Sequence, residues 1–340
     1  MRLIRIFRIL VLLAVACLLI GAVLFYRICY VQPLLSERQP VVVEIASGKP
    51  LRVVARELGQ QGVLPHPLSL VLLARLRGES GAMRAGEYRI QPGTTVAELL
   101  NQFVSGHVVL HSLTLVDGWD FKQVFDAVEQ DSYLAHTLQN MTPAEVMARL
   151  GHPQQYPEGM FYPDTYSFSR GTTDVSFLQR AYQSMQQKLN AAWTARATDL
   201  PYKSAYDALI MASVIEKETA QPAERTQIAG VFVRRLQKGM KLQSDPTVIY
   251  GLGDAYNGDI TFKDLRKDTP YNSYTRHGLP PTPICMPALA SIQAALHPAP
   301  GDALYFVARG NGTHQFSATL AEQNAAVQKY QLSDKHKHKS

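Results

Sequence analysis

An uncharged apolar run at residues 9–26, preceded by Arg2, Arg5 and Arg8 and closed by Arg27, constrains this chain more than any other feature. As a helix rising about 1.5 Å per residue it is about 27 Å long, close to the hydrocarbon thickness of a bilayer. The arginine flank favours the cytoplasmic side, which sends everything after Arg27 across the membrane. A cleaved signal competes with this reading, because Ala14-Val15-Ala16 has the small residues of a cleavage site and Cys17 follows as in lipoprotein processing. The apolar run continues through residues 18–25, so cleavage would leave an apolar mature N-terminus. An uncleaved anchor spanning residues 1–27 is the expectation.

The 340 residues are 46% hydrophobic and 18% charged, enough to bury a core and to build more than one domain. Cys17 and Cys29 belong to the anchor or its edge and Cys285 stands alone, so no disulfide framework or zinc pattern arises. The formal net charge of +6 is spread along the chain and inflated by the N-terminal arginines and by the lysines of a tail, residues 332–340, that reads as disordered and solvated. Nucleic acid is not an expected partner, since the bulk of the chain lies outside the cytoplasm. His66, His107, His111, His277, His297 and His314 are scattered, and no phosphate-binding glycine loop occurs. Neither a metal nor another cofactor is expected.

Past the anchor, residues 28–40 read as a linker ending in Glu37-Arg38-Gln39-Pro40. A small mixed domain is expected over residues 41–106, with strands at 41–45 and 87–90 and a helix at 68–76. Within it the spacing of Gly48, Leu51, Val54, Ala55 and Leu58 recurs in Gly93, Val96, Leu99, Leu100 and Phe103. A larger domain follows over residues 107–331, with helices alternating with short strands near 108–116 and 304–307 that complete a mixed sheet. Thr142-Pro143-Ala144-Glu145 is a capping-box helix start, Asp174 is placed to cap the next long helix, and Gly239 ends the helix at 223–238. The class is α+β.

Residues 204–220 have the length and composition of one helix ending before Pro222. At about 100° per residue, Asp207, Ile210, Met211, Val214, Ile215 and Glu218 share one face. Glu218 thus occupies the apolar stripe, while Glu216 points to the opposite side and is expected in solvent. A carboxyl among apolar neighbours is harder to ionise and holds its proton near neutral pH, as a general acid must. A fraying last turn, or an ion pair with an arginine such as Arg225, would account for the same pattern without catalysis.

Around that helix lie Glu158-Gly159-Met160-Phe161-Tyr162-Pro163-Asp164-Thr165-Tyr166, Ala212-Ser213-Val214-Ile215-Glu216-Lys217-Glu218-Thr219, Leu242-Gln243-Ser244-Asp245-Pro246-Thr247-Val248-Ile249-Tyr250-Gly251, Tyr271-Asn272-Ser273-Tyr274, Gly278-Leu279-Pro280-Pro281 and His314-Gln315-Phe316-Ser317-Ala318-Thr319-Leu320. In order from about residue 110 to 330, these blocks closely resemble the endolytic murein transglycosylases, the YceG-like or MltG family. The resemblance implies that Glu218 is the catalytic acid/base and that the substrate is the peptidoglycan glycan strand. It implies a non-hydrolytic cut between N-acetylmuramic acid and N-acetylglucosamine that leaves a 1,6-anhydro end, with no cofactor. It also implies a LysM-like small domain, either glycan-binding or a spacer, and a single-pass protein of the bacterial inner membrane whose catalytic part faces the periplasm. Endolytic trimming of nascent strands would make peptidoglycan synthases partners.

Within these blocks, Gln243 and Asn272 carry amides suited to sugar hydroxyls and N-acetyl carbonyls. Asp245, biased towards extended backbone by Pro246, either caps the following turn or orients substrate or Glu218. Tyr274, with Tyr162, Tyr166, Tyr250 and Tyr271, offers rings for the apolar faces of sugars. Glu158 and Asp164 are the candidate second carboxylates, and either would open a two-carboxylate hydrolase mechanism with Glu218. A non-catalytic wall-binding scaffold is the other alternative. The chain departs from the family pattern at Thr282, which precedes Pro283-Ile284, and at Met286-Pro287-Ala288, which bears on loop contacts with substrate.

Overall fold

The computed structural model describes residues 2–35, 39–46 and 48–332. The basic tail from Ser333 and the middle of the expected linker, including Glu37 and Arg38, lie outside the described residues. The chain forms two compact units, Met1–His111 with Ser167–Thr172, and Ser112–Tyr166 with Thr173–Ser340.

Helix α1 (Arg2–Tyr26) carries the apolar run, and its large side chains from Ile4 to Leu24 are exposed, while Phe25 packs against the core of the unit. It is long and apolar enough to cross a membrane, a description that a signal sequence also meets. The chain then passes directly into a π turn at Arg27–Val31. Cys29 is fully buried there, and Leu34, buried beside it, donates its N–H to Thr94 O at 2.8 Å. The first part of the segment read as a linker is therefore core. Cys29 behaves as a small apolar side chain of the unit and not as an edge of the anchor.

The rest of the first unit contains β1 (Val41–Ile45), α2 (Leu51–Gln60), α3 (Pro67–Leu76), β2 (Gly86–Ile90) and α4 (Val96–Ser105). The spacing repeat seen in the sequence is a structural one. Strand β1, Gly48 and α2 recur as β2, Gly93 and α4, each 45 positions later. The two strands pair antiparallel with Val43 opposite Tyr88, its own counterpart, so exchanging the two halves leaves the register unchanged. Both glycines adopt positive φ, +77° and +90°, to turn strand into helix. Helix α2 buries Leu51, Val54, Ala55 and Leu58, and α4 buries Val96, Leu99, Leu100 and Phe103 at the same spacing. Helix α3 has no counterpart.

The chain continues through β3 (Leu110–Thr114), α5 (Phe121–Gln130), α6 (Pro143–Arg149), β4 (Thr165–Ser169), α7 (Asp174–Thr194), α8 (Ala205–Glu218), α9 (Arg225–Gln237), α10 (Asp245–Leu252), α11 (Phe262–Arg266), α12 (Leu289–Leu296), β5 (Tyr305–Ala308), β6 (His314–Ser317) and α13 (Leu320–Val327). The class is mixed α+β. The strands do not complete one mixed sheet: among the described residues β1–β2, β3–β4 and β5–β6 are separate two-stranded sheets. Strands of four or five residues find one partner each, and the buried apolar surface comes mainly from helices. The capping box at Thr142 and Glu145 is present. Asp174 is not the cap of α7; Thr173 is, and the buried Asp174 carboxylate instead accepts from the N–H groups of Thr137 and Leu138 at 2.7 and 2.8 Å.

Helix α8 is the centre of the second unit, packed by α7, α9, α10 and α12. Ser204 caps it, accepting from Asp207 N–H, and every residue from 208 to 215 is buried. The expected division into an apolar and a solvated face is therefore lost. A helix surrounded on all sides buries its whole circumference, small residues such as Ala208, Ala212 and Ser213 included.

Candidate active site

Glu218 is the last residue of α8, after which Thr219 turns extended. Burial pushes its carboxyl up to about 7, with the nearby Asp245 carboxylate adding to the rise, while the Ser244 hydroxyl, His314 and Arg235 act in the opposite direction. The negative end of a helix also disfavours a carboxylate at this position. Ser244 Oγ donates to Glu218 Oε2 at 2.7 Å.

A short irregular segment between α9 and α10 presents that hydroxyl. Ser244 is itself buried, its N–H donating to Ser273 Oγ at 2.9 Å and its carbonyl accepting from Thr247 Oγ1 at 2.7 Å. The preceding residue, Gln243, has φ +52°, a strained conformation for a side chain of this kind. Arg235 holds it there. This buried guanidinium donates to Leu304 O at 2.6 Å, to Leu242 O at 2.8 Å and to Gln243 Oε1 at 3.3 Å. Ser244 and Arg235 were not singled out by sequence reasoning. Ser244 lies within one of the motif blocks, whereas nothing in the sequence marks Arg235, one of two adjacent basic residues at a helix end, as the buried one.

Asp245 opens α10 and is helical, so the extension expected of it before Pro246 is not adopted; the extended residue is Ser244, the N-cap of that helix. Its carboxylate accepts from Tyr274 Oη at 2.6 Å and stands in the field of Glu218. Gln243, Asp245 and Tyr274 thus gather beside Glu218. Asn272 does not join them. It is fully buried, its amide donating to Leu265 O and Lys267 O at 3.1 and 2.8 Å while its carbonyl accepts from Tyr274 N–H at 2.8 Å. Its role is to fold the loop that carries Tyr274. His314 pairs through Nδ1 with Glu224 Oε2 at 2.7 Å.

A cleft of about 700 Å³ has Lys217 and Pro246, the sequence neighbours of Glu218 and Asp245, in its wall, whereas Glu218, Gln243, Ser244, Asp245 and Tyr274 do not themselves line it. Tyr156, Tyr250 and Tyr271 line it, the last two in edge-to-face contact with ring centroids 4.7 Å apart. Glu158 also lines it but is almost wholly buried. Its carboxylate accepts from Phe121 N–H at the start of α5, at 3.0 Å, and from Tyr250 Oη at 2.9 Å. Burial raises the Glu158 carboxyl to about 7 in spite of these bonds. Gly159 beside it has φ +77°, and an added Cβ would meet Pro283 at 2.5 Å, so this turn admits glycine alone. Asp164 is exposed and accepts from Thr165 N–H at 2.8 Å. Tyr162 and Tyr166 do not line the cleft: Tyr166 Oη donates to Tyr162 O, and Lys188 lies over the Tyr162 ring. The carboxylate brought to Glu218 is Asp245, not Glu158 or Asp164.

Glu216 is not solvated. Its side chain is 7% exposed, paired with Arg225 at 3.5 Å, and it accepts from Ala288 N–H at 3.0 Å. Arg225, weighed as a partner of Glu218, belongs to Glu216. Glu216→Gln should lower stability by about 1–3 kcal/mol, because the half-buried Arg225 guanidinium loses its charged partner. Urea unfolding would show this as a lower midpoint at unchanged slope, with cleavage per folded molecule close to that of the parent.

The family model of YceG-like proteins matches residues 43–329 of this chain. A curated endolytic murein transglycosylase of Bacillus subtilis is 30% identical over 336 residues, covering 92% of this chain and 91% of its own. One from Streptococcus pneumoniae is 27% identical over 308 residues, 80% of this chain and 55% of its own length. The crystal structure of a YceG-like protein from Listeria monocytogenes, 27% identical, superposes with a TM-score of 0.54 over 85% of this chain and 99% of that one. With the Glu218 cluster and the cleft both inside the matched region, the chain belongs to the YceG-like family.

Proposed function

We propose that this protein is a lytic transglycosylase that cuts peptidoglycan strands internally, with Glu218 as its acid/base. The observation that carries this reading is the half-buried Glu218 carboxyl at the end of α8, held through one oxygen by Ser244 and raised by burial to about 7. The names of the curated relatives support it. Oε1 delivers the proton to the glycosidic oxygen between N-acetylmuramic acid and N-acetylglucosamine as that bond breaks. The resulting carboxylate takes the proton of the muramic acid 6-hydroxyl while that oxygen closes on its own anomeric carbon, giving the 1,6-anhydro end. No water enters. One carboxyl suffices because the nucleophile belongs to the substrate, and intramolecular attack carries a large effective molarity.

The cleft takes the glycan, with Tyr250 and Tyr271 against sugar faces and Gln243, Asp245 and Tyr274 beside the scissile bond. Glu158 and Asn272 hold the walls, and Asp164 stands outside this assignment. The strand-helix-helix-strand order of β1, α2, α3 and β2 supports a LysM-like module. Helix α1 remains as the anchor, with the catalytic unit in the periplasm, where it trims nascent strands alongside their synthases.

A two-carboxylate hydrolase is the second reading, favoured by Asp245 acting on Glu218. Mass spectrometry of the products separates the two. Anhydro ends, lighter by one water than reducing ends, are expected. Reducing ends alone would establish the hydrolase, and intact strands would leave only a scaffold.

A further inference from the structure

Helix α3, Pro-Leu-Ser-Leu-Val-Leu-Leu-Ala-Arg-Leu, is apolar apart from Ser69 and Arg75 although it lies at the surface of its unit. Leu70, Leu73 and Ala74 face the core. Leu68, Leu72 and Leu76, one turn apart, form a stripe on the other side with 76%, 47% and 68% of their surface exposed. Arg75 is the one charged residue of the helix. A contiguous stripe of exposed leucines on a helix is normally covered by protein or by lipid, and within its unit this one is left uncovered.

The location of the stripe says what covers the rest. Helix α3 packs on the π turn at Arg27–Val31, which continues α1 without a break and is fixed into the same core by Cys29. Arg77, the residue after Leu76, donates to Tyr30 Oη at 3.2 Å, and Tyr30 stacks on Tyr26, the last residue of α1, with ring centroids 5.1 Å apart. Tyr26, Arg27, Tyr30 and Arg77 make the aromatic and basic collar typical of a membrane–water boundary. The end of the leucine stripe is therefore tied, through two contacts, to the point where α1 leaves the bilayer.

We propose that the Leu68–Leu72–Leu76 face of α3 is a membrane-docking surface that sinks into the headgroup and acyl boundary beside α1 and fixes the small unit against the bilayer. This rests on the reading of α1 as a retained anchor. The partner is the lipid surface itself. Leucines enter the boundary while Arg75 and Arg77 meet lipid phosphates, as on interfacial amphipathic helices.

The test uses the full chain reconstituted in vesicles of phosphatidylethanolamine and phosphatidylglycerol, without nitroxide, with lipids bearing a nitroxide high on the acyl chain to report the leucines, and with lipids bearing one near the chain end to report Cys17. A single fluorophore is attached at Leu68→Cys, Leu72→Cys or Leu76→Cys in a Cys17→Ala background, and at native Cys17 in the parent. Quenching of at least about twofold is expected at Leu68, Leu72 and Leu76, as for side chains seated in the acyl boundary, together with quenching at Cys17. Quenching at Cys17 with none at the three leucines would overturn the docking and leave the anchor standing. No quenching at either would remove the anchor reading and the docking with it. Disulfide-linked dimers through Leu72→Cys in place of quenching would assign the stripe to a second copy of the chain and overturn the lipid assignment.

Discussion

Glu218→Gln lowers glycan cleavage by about 10²–10⁴-fold, the range spanned by removing a general acid, and leaves a folded protein. The amide keeps an oxygen for the Ser244 hydroxyl but has no proton to give. The same substitution makes the protein more stable near neutral pH. The folded Glu218 carboxyl sits at about 7 against an ordinary 4.5, so the native state holds a proton that the unfolded chain has released. The contribution of Glu218 is fully present below pH 4.5 and is lost as pH rises through 7. By pH 8 the loss amounts to about 3 kcal/mol. Unfolding of parent and variant across pH 4 to 8 should show their difference growing over this window, and cleavage by the parent should decline above pH 7 with the same group. A variant that retains cleavage, or gains no stability at pH 8, contradicts the assignment.

Glu158 separates shape from charge. Glu158→Ala removes the acceptor for two buried donors, Phe121 N–H and Tyr250 Oη. At about 1–3 kcal/mol for each donor left unmet, the protein should lose about 4 kcal/mol, seen as a large drop in the urea midpoint. Glu158→Gln keeps an oxygen for Phe121 N–H and an amide that can donate to the phenol, so it should fold close to parental stability at acid pH. Because burial holds Glu158 at about 7, the parent loses stability between pH 4.5 and 7 at this residue too, and the glutamine variant should not. With both Glu158 and Glu218 as glutamine, the stability profile across neutral pH should be nearly flat. If Glu158→Gln also removes cleavage without unfolding the protein, Glu158 belongs to the chemistry and not to the wall of the cleft.

Much of this was legible from residues in order. The apolar run fixed α1, because hydropathy and length are properties of the chain alone. The recurrence of Gly48 to Leu58 in Gly93 to Phe103 gave the two halves of the small unit, since glycine at a turn and an i, i+3, i+4, i+7 pattern are local demands. The capping box at Thr142 and the glycine after α9 are equally local. Helical periodicity placed Glu218 on the side of α8 that packing covers, but the groups that meet its carboxyl are Ser244, Asp245, His314 and Arg235.

Only the tertiary structure decided the rest, because burial and pairing depend on what arrives from elsewhere in the chain. Periodicity assigned Glu216 to water, but Arg225 and the Ala288 N–H converge on it from α9 and the start of α12. Asn272 has the chemistry of a sugar ligand and spends it on its own loop, a choice made by backbone carbonyls at Leu265 and Lys267. Ser244 with Asp245 at the start of α10, Arg235 in α9 and His314 in β6 come from three places in the chain, and no spacing rule links them to Glu218. Sequence determined that a carboxyl would be half-buried at the end of α8; long-range packing determined which hydroxyl holds it and which carboxylate adds to its rise, since hydrogen bonds and fields act through space and not along the chain.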